Sequence, residues 1–115
     1  MSLDVYLMVE QPTEVYSSNI THNLGKMAAE VKLDNGLTLY QILWRPDECN
    51  PPYTKANEIA ELLYEGLNVL TSNPDKYRKF NPGNGWGTYD GLVDFVYNYC
   101  NACRETPEAE LRISR

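Results

Sequence analysis

Little in this sequence announces chemistry. His22 is the only histidine, so no H-E-x-x-H pair exists, and no serine sits in a nucleophile-elbow setting. The cysteines, Cys49, Cys100 and Cys103, are odd in number. No second Cys-x-x-Cys and no His pair is present to complete a zinc site around Cys100 and Cys103. Gly83, Gly85 and Gly87 lack the G-x-G-x-x-G order and are followed by no Lys-Ser/Thr pair, which excludes a phosphate loop. No apolar run approaches the length that crosses a membrane. Bases are scarce: 10 Lys and Arg against 16 Asp and Glu leave a net charge of −6, which disfavours binding to a DNA or RNA duplex. Met1-Ser2-Leu3-Asp4 has no basic stretch and no apolar signal core, so a cytoplasmic location is expected. The sequon Asn19-Ile20-Thr21 is then incidental.

What is present is an ordinary globular composition. A chain of 115 residues, 43% hydrophobic and 23% charged, can bury a core without metal or disulfide staples. We expect one compact α+β domain over residues 1–115: a small antiparallel sheet with about three helices packed on one face. Residues 3–9 read as a strand with Val5, Leu7 and Val9 on one face. Gln11-Pro12-Thr13 signals a turn, and Glu14 to Ile20 returns as the second arm of a hairpin. Leu24, Met27, Ala28 and Val31 recur at helical spacing, predicting a helix over 23–33 that Gly36 ends. Leu39, Ile42 and Leu43 suggest a short apolar turn or helix, and residues 45–53 a Pro-rich loop. Ile59, Leu62, Leu63, Leu67 and Leu70 form the stripe of a helix over 54–71, with Glu58, Glu61 and Glu65 on its wet face. Asn73-Pro74 opens a further helical turn. The last helix spans 89–104, with Leu92, Phe95, Val96, Tyr99, Cys100 and Cys103 inward. The two helical cysteines therefore read as small hydrophobes. Residues 108–114 read as a final strand, expected to pair with the first and tie down both ends of the chain. An exposed sheet edge could serve a homo-oligomer.

Two segments stand out as candidate sites. Asn19-Ile20-Thr21-His22-Asn23 gathers mixed donors and acceptors at a strand-to-helix junction, where a helix N-terminus can hold a phosphate or carboxylate. The positive helix end favours a neutral, hydrogen-bonding His22. The same residues also serve a helix start with no ligand, because Thr and Asn are caps. The second segment, FNPGNGWGTYDG, sets Trp86 between glycines, with Asn84 before it and Tyr89 and Asp90 after it. Trp86 is either a plug in the core or a stacking platform for a base, a sugar or a partner side chain. Cys49 could form a Cys–His dyad with His22 only if the fold joins them.

These two segments, with the opening DVYL and the closing apolar strand, resemble a group of small uncharacterised phage, prophage and bacterial proteins. The group's patterns read N-x-T-x-N and N-P-x-N-G-W-G-x-Y-x-G. Asn19, Thr21, Asn23, Asn81, Pro82, Asn84, Gly85, Trp86, Gly87, Tyr89 and Gly91 fit them, whereas residues 34–53 depart freely. The resemblance covers nearly the whole chain and implies a phage-related source, with a bacterial cytoplasm as the location. It carries no reaction with it.

The leading expectation is a binding protein rather than an enzyme, with no catalytic residue, metal or cofactor nominated. The two segments would form the walls of one pocket for a small polar, nucleotide-like ligand, such as a host immune signal. Asn19, Thr21, His22 and Asn23 would hydrogen-bond it, while Trp86 or Tyr89 stacks, and Asn84 and Asp90 belong to the same ligand-binding set. The alternative is a protein–protein module that inhibits a host defence or metabolic protein through Trp86, Trp44 and surface tyrosines. A small enzyme on a nucleotide or glycan is a third reading without a nominated nucleophile.

Overall fold

The structure is a computed structural model that describes residues 2–9, 13–83 and 87–115. Three strands form one antiparallel sheet: β1 (Ser2–Val9), β2 (Thr13–Thr21) and β3 (Glu110–Ser114), in the order β2-β1-β3. Among the described residues five α-helices accompany it: α1 (Gly25–Ala29), α2 (Leu39–Trp44), α3 (Ala56–Ser72), α4 (Pro74–Arg78) and α5 (Tyr89–Glu105). The expected α+β class holds, with five helices rather than about three among the described residues.

Period-two alternation decides β1. Leu3, Val5 and Leu7 are fully buried, while Ser2, Asp4, Tyr6 and Met8 are only partly covered. One sheet face therefore packs on the helices and the other faces solvent. The register pairs Leu3 with Ile20, Val5 with Ser18 and Leu7 with Tyr16, then shifts at Leu7/Met8, so that Met8 pairs with Glu14. Val15 is thus the extra residue of a β-bulge, and it is exposed. On the other side Val5 pairs with Ile113 and Leu7 with Leu111.

The helix expected over 23–33 is shorter. A 3₁₀ turn, His22–Leu24, leads into α1, which stops at Ala29. Beyond it Val31 and Leu33 are buried and Lys32 is exposed, an alternation that suits an extended chain. Lys32 bridges to Thr38 across a turn in which Gly36 has φ +89°. The glycine therefore turns an extended loop and does not end a helix. Thr38 then caps α2, accepting from the Gln41 amide at 3.3 Å while Gln41 Oε1 accepts from the Thr38 amide at 2.8 Å. This helix carries Trp44, expected to be a surface anchor, into the core.

The long helix starts at Ala56 rather than Thr54 because the two preceding residues pair with β3. The Leu111 amide donates to the Thr54 carbonyl at 2.9 Å, and Lys55 bridges to Glu110. Glu58 holds this corner by accepting from the Thr54 and Lys55 amides at 2.7 and 2.9 Å. Those bonds hold its carboxyl below the usual range. Helices α3 and α5 pack together, and α5 lies against β2, where Tyr99 stacks on Tyr16 at 6.1 Å. Among the described residues no helix is long and apolar enough to cross a membrane.

Candidate functional site

The structure brings the two candidate segments together at one end of the sheet. Gly87 has φ +97°, and a Cβ built on it would lie 2.7 Å from Thr21 Cγ2 and 2.9 Å from Leu24 Cγ. Only glycine fits this backbone angle and this approach. Asn81 closes the base of the loop, its Oδ1 accepting from the Tyr89 amide at 2.8 Å. Thr88 caps α5 by accepting from the Gly91 amide at 3.0 Å. Asn84 and Trp86 lie outside the described residues.

Two side chains of the first segment, Thr21 and His22, are tied into the fold. Thr21 Oγ1 accepts from the Asn23 amide at 3.3 Å. His22 Nδ1 accepts from Trp44 Nε1–H at 3.1 Å, so Nδ1 carries no proton and the neutral ring carries one on Nε2. His22 Nε2 is buried and has no partner among the described residues. Trp44 is the residue the sequence reading undervalued. It is 1% exposed and stacks on Tyr40 at 5.3 Å. Its carbonyl accepts from Arg115 Nη1 at 2.9 Å. Trp44 is therefore a core residue and cannot anchor a partner protein. Asn19 and Asn23 are exposed.

The helix-dipole argument for this segment falls away. A 3₁₀ turn followed by the five residues of α1 presents too little aligned backbone for an anion site. Tyr89 is also a core residue rather than a stacking wall. It is 4% exposed and donates its hydroxyl to the Leu70 carbonyl at 2.7 Å. Burial raises its pKa, with Arg78 over its ring at 4.9 Å acting in the opposite direction. Its place was legible, since Tyr89 falls one turn before Leu92 on the stripe that continues through Phe95 and Val96. Asp90 is exposed and meets Arg78 at 3.6 Å.

No nucleophile is assembled from the cysteines. Cys49 Sγ donates to the Arg45 carbonyl at 3.5 Å, and His22 Nδ1 is occupied by Trp44, so no Cys–His dyad forms. Burial pushes the Cys49 thiol up, and Asp47 and Glu48 add to the shift. Burial pushes Cys103 up to about 12, and Cys100 donates to the Ala60 carbonyl at 3.5 Å. All three are free thiols with raised pKa values, the opposite of an activated sulfur. Among the described residues no group of three or more His, Cys, Asp and Glu side chains could hold a metal ion.

Two surface clefts, of about 520 and 580 Å³, lie away from both segments. The molecule is thus defined as a two-layer α+β domain with a three-stranded antiparallel sheet. Comparison with family models, with curated proteins and with solved structures finds no match to this chain.

Proposed function

We propose that the protein binds a small polar, nucleotide-like ligand at the end of the sheet where residues 19–23 meet the glycine loop. The observation that carries the reading is the close approach of Gly87 to Thr21 and Leu24, which makes neighbours of two polar segments far apart in sequence. Asn19 and Asn23 are the exposed side chains there with donors and acceptors to offer. On the resemblance to phage proteins, the biological role would be to sequester a host immune signal nucleotide in a bacterial cytoplasm. No catalytic step belongs to this reading.

A thermal-shift screen against nucleotides, cyclic oligonucleotides and ADP-ribose tests it. A ligand at about 100 times its Kd stabilises a fold by about 2.7 kcal/mol, which raises Tm by roughly ten degrees in a domain of this size. Asn19→Ala and Asn23→Ala should remove the shift and leave the ligand-free Tm in place, because both side chains are exposed. A flat screen, or a shift that both variants retain, overturns the assignment.

A second reading has its own support on the helical face. Tyr64 and Tyr97 are 44% and 53% exposed, and the Arg104 guanidinium lies 4.5 Å over the Tyr64 ring. Exposed Tyr and Arg suit a protein interface. In that case a host protein retained by the wild type would be lost on Tyr64→Ala, while the nucleotide screen stays flat.

A further inference from the structure

The structure separates the arginines. Arg45 meets Glu48 at 2.9 Å, Arg78 meets Asp90 at 3.6 Å, Arg104 meets Glu61 at 3.5 Å and Arg115 meets Asp47 at 2.8 Å. Among the described residues the side chain of Arg112 alone of the arginines has no carboxylate within 4.0 Å, no hydrogen bond and no aromatic ring beneath it. It lines the cleft of about 520 Å³. In a chain of net charge −6, a guanidinium left without a partner is conspicuous.

The fold supplies the company it keeps. Tyr6 pairs with Arg112 and Met8 with Glu110 across β1 and β3, and Glu110 in turn bridges to Lys55. Side chains two residues apart on a strand share a face. Glu110 and Arg112 therefore stand side by side on the open face of the sheet, with Met8 and Lys55 flanking Glu110. Glu108 and Val9 complete the lining used here. Two cations and two carboxylates thus line the cleft together with the apolar Met8 and Val9. Lys55 and Glu110 are cross-strand neighbours, yet no ion pair within 4.0 Å joins them among the described residues.

We propose that this cleft is a binding site for a small zwitterion, an α-amino acid with an apolar side chain. The carboxylate would take the two-pronged guanidinium of Arg112, assisted by Lys55. The ammonium would lie against Glu108 and Glu110, and the side chain on Met8 and Val9. The two glutamates also act against anions. A phosphate gains Arg112 and Lys55 but meets two like charges, so the cleft selects against nucleotides and polyphosphates. The site stands at the opposite end of β1 from the residues 19–23 junction, roughly 20 Å away at the rise of a strand. Neither site depends on the other.

The experiment is a titration of the full chain, followed by the backbone amide signals of Met8, Lys55, Glu110 and Arg112. The four probes are L-leucine, N-acetyl-L-leucine, L-leucinamide and inorganic phosphate. L-leucine should move these signals saturably, and each of the other three should bind at least about tenfold more weakly, since each lacks one charge or the apolar body. Arg112→Gln should weaken L-leucine by at least about tenfold with Tm unchanged, because the side chain is exposed. Three results would each overturn the proposal: no saturable movement with L-leucine, phosphate binding as well as L-leucine, or Arg112→Gln binding L-leucine like the wild type.

Discussion

The two ends of β1 hold polar side chains in opposite conditions. Near Ser2, where Thr21 pairs with it, several hydrogen-bonding groups are spent on the fold, while Asn19 and Asn23 stay exposed. Thr21 caps a turn, His22 accepts from Trp44, and Tyr89 donates to Leu70. Near Val9, Arg112 and Lys55 line a cleft without a carboxylate at ion-pair distance among the described residues. The end rich in recognisable sequence patterns is the tightly built one. The end with no pattern keeps uncommitted charge. Sequence pattern marks where a backbone needs particular residues, and that need is often architectural.

Four substitutions sharpen or break this contrast. Gly87→Ala should have the largest effect, because alanine adds strain at φ +97° and a Cβ 2.7 Å from Thr21. The expected loss is about 2–4 kcal/mol, read from urea denaturation. A neutral result would mean that the loop does not press on the junction. Next, Tyr89→Phe deletes the donor to the Leu70 carbonyl while keeping the ring, at a cost of about 1–2 kcal/mol. An unchanged midpoint would remove Tyr89 from the list of committed groups.

Arg115→Ala comes third. It breaks a partly exposed pair with Asp47, so about 1 kcal/mol or less is expected at neutral pH. The hydrogen bond from Arg115 holds the Asp47 carboxyl below its usual value of 3.8. The folded value lies below the unfolded one, so this stabilisation is complete above the unfolded value. It is lost as pH falls through the folded value. Arg115→Ala should therefore flatten that part of the acid unfolding curve, and an unchanged curve would show that the pair is idle. Last, Arg112→Gln should change stability by no more than about 0.5 kcal/mol, since nothing in the fold depends on its charge. A larger loss at Arg112 than at Tyr89 would reverse the contrast between the two ends.

The parts of this architecture carried by repeating local patterns were legible in the sequence. The alternation of Leu3, Val5 and Leu7, and the stripes of α3 and α5, are properties of neighbouring residues and survive into the fold. The helix over 23–33 was overdrawn because Val31 fits a helical spacing and an alternating one equally well. The turn at Gly36 and the Lys32–Thr38 bridge settle it for the extended form. Trp44, expected as a surface anchor, is buried instead, because its partner His22 lies far from it in sequence and no local pattern pairs the two. Of the candidate residues, Thr21 and Tyr89 carried recognisable structural roles, as a cap and as a position on the α5 stripe. The contact of Gly87 with Leu24 and the bridge of Lys55 to Glu110 join residues distant in sequence, and no local pattern encodes them.

β1 occupies the middle of the sheet, yet its two neighbours come from opposite ends of the described chain. The β2 partner follows within a hairpin, whereas Val5 and Ile113 are more than a hundred residues apart. During synthesis the hairpin can close early, and one edge of β1 then waits until residues 110–114 have emerged. In that interval Leu3, Val5 and Leu7 lie on a strand with a free edge and no third strand to cover it. The central strand is therefore the last to be finished. A nascent chain halted before residue 110 would expose the most apolar strand of the molecule, so the five residues of β3 act as the closing seam of the sheet.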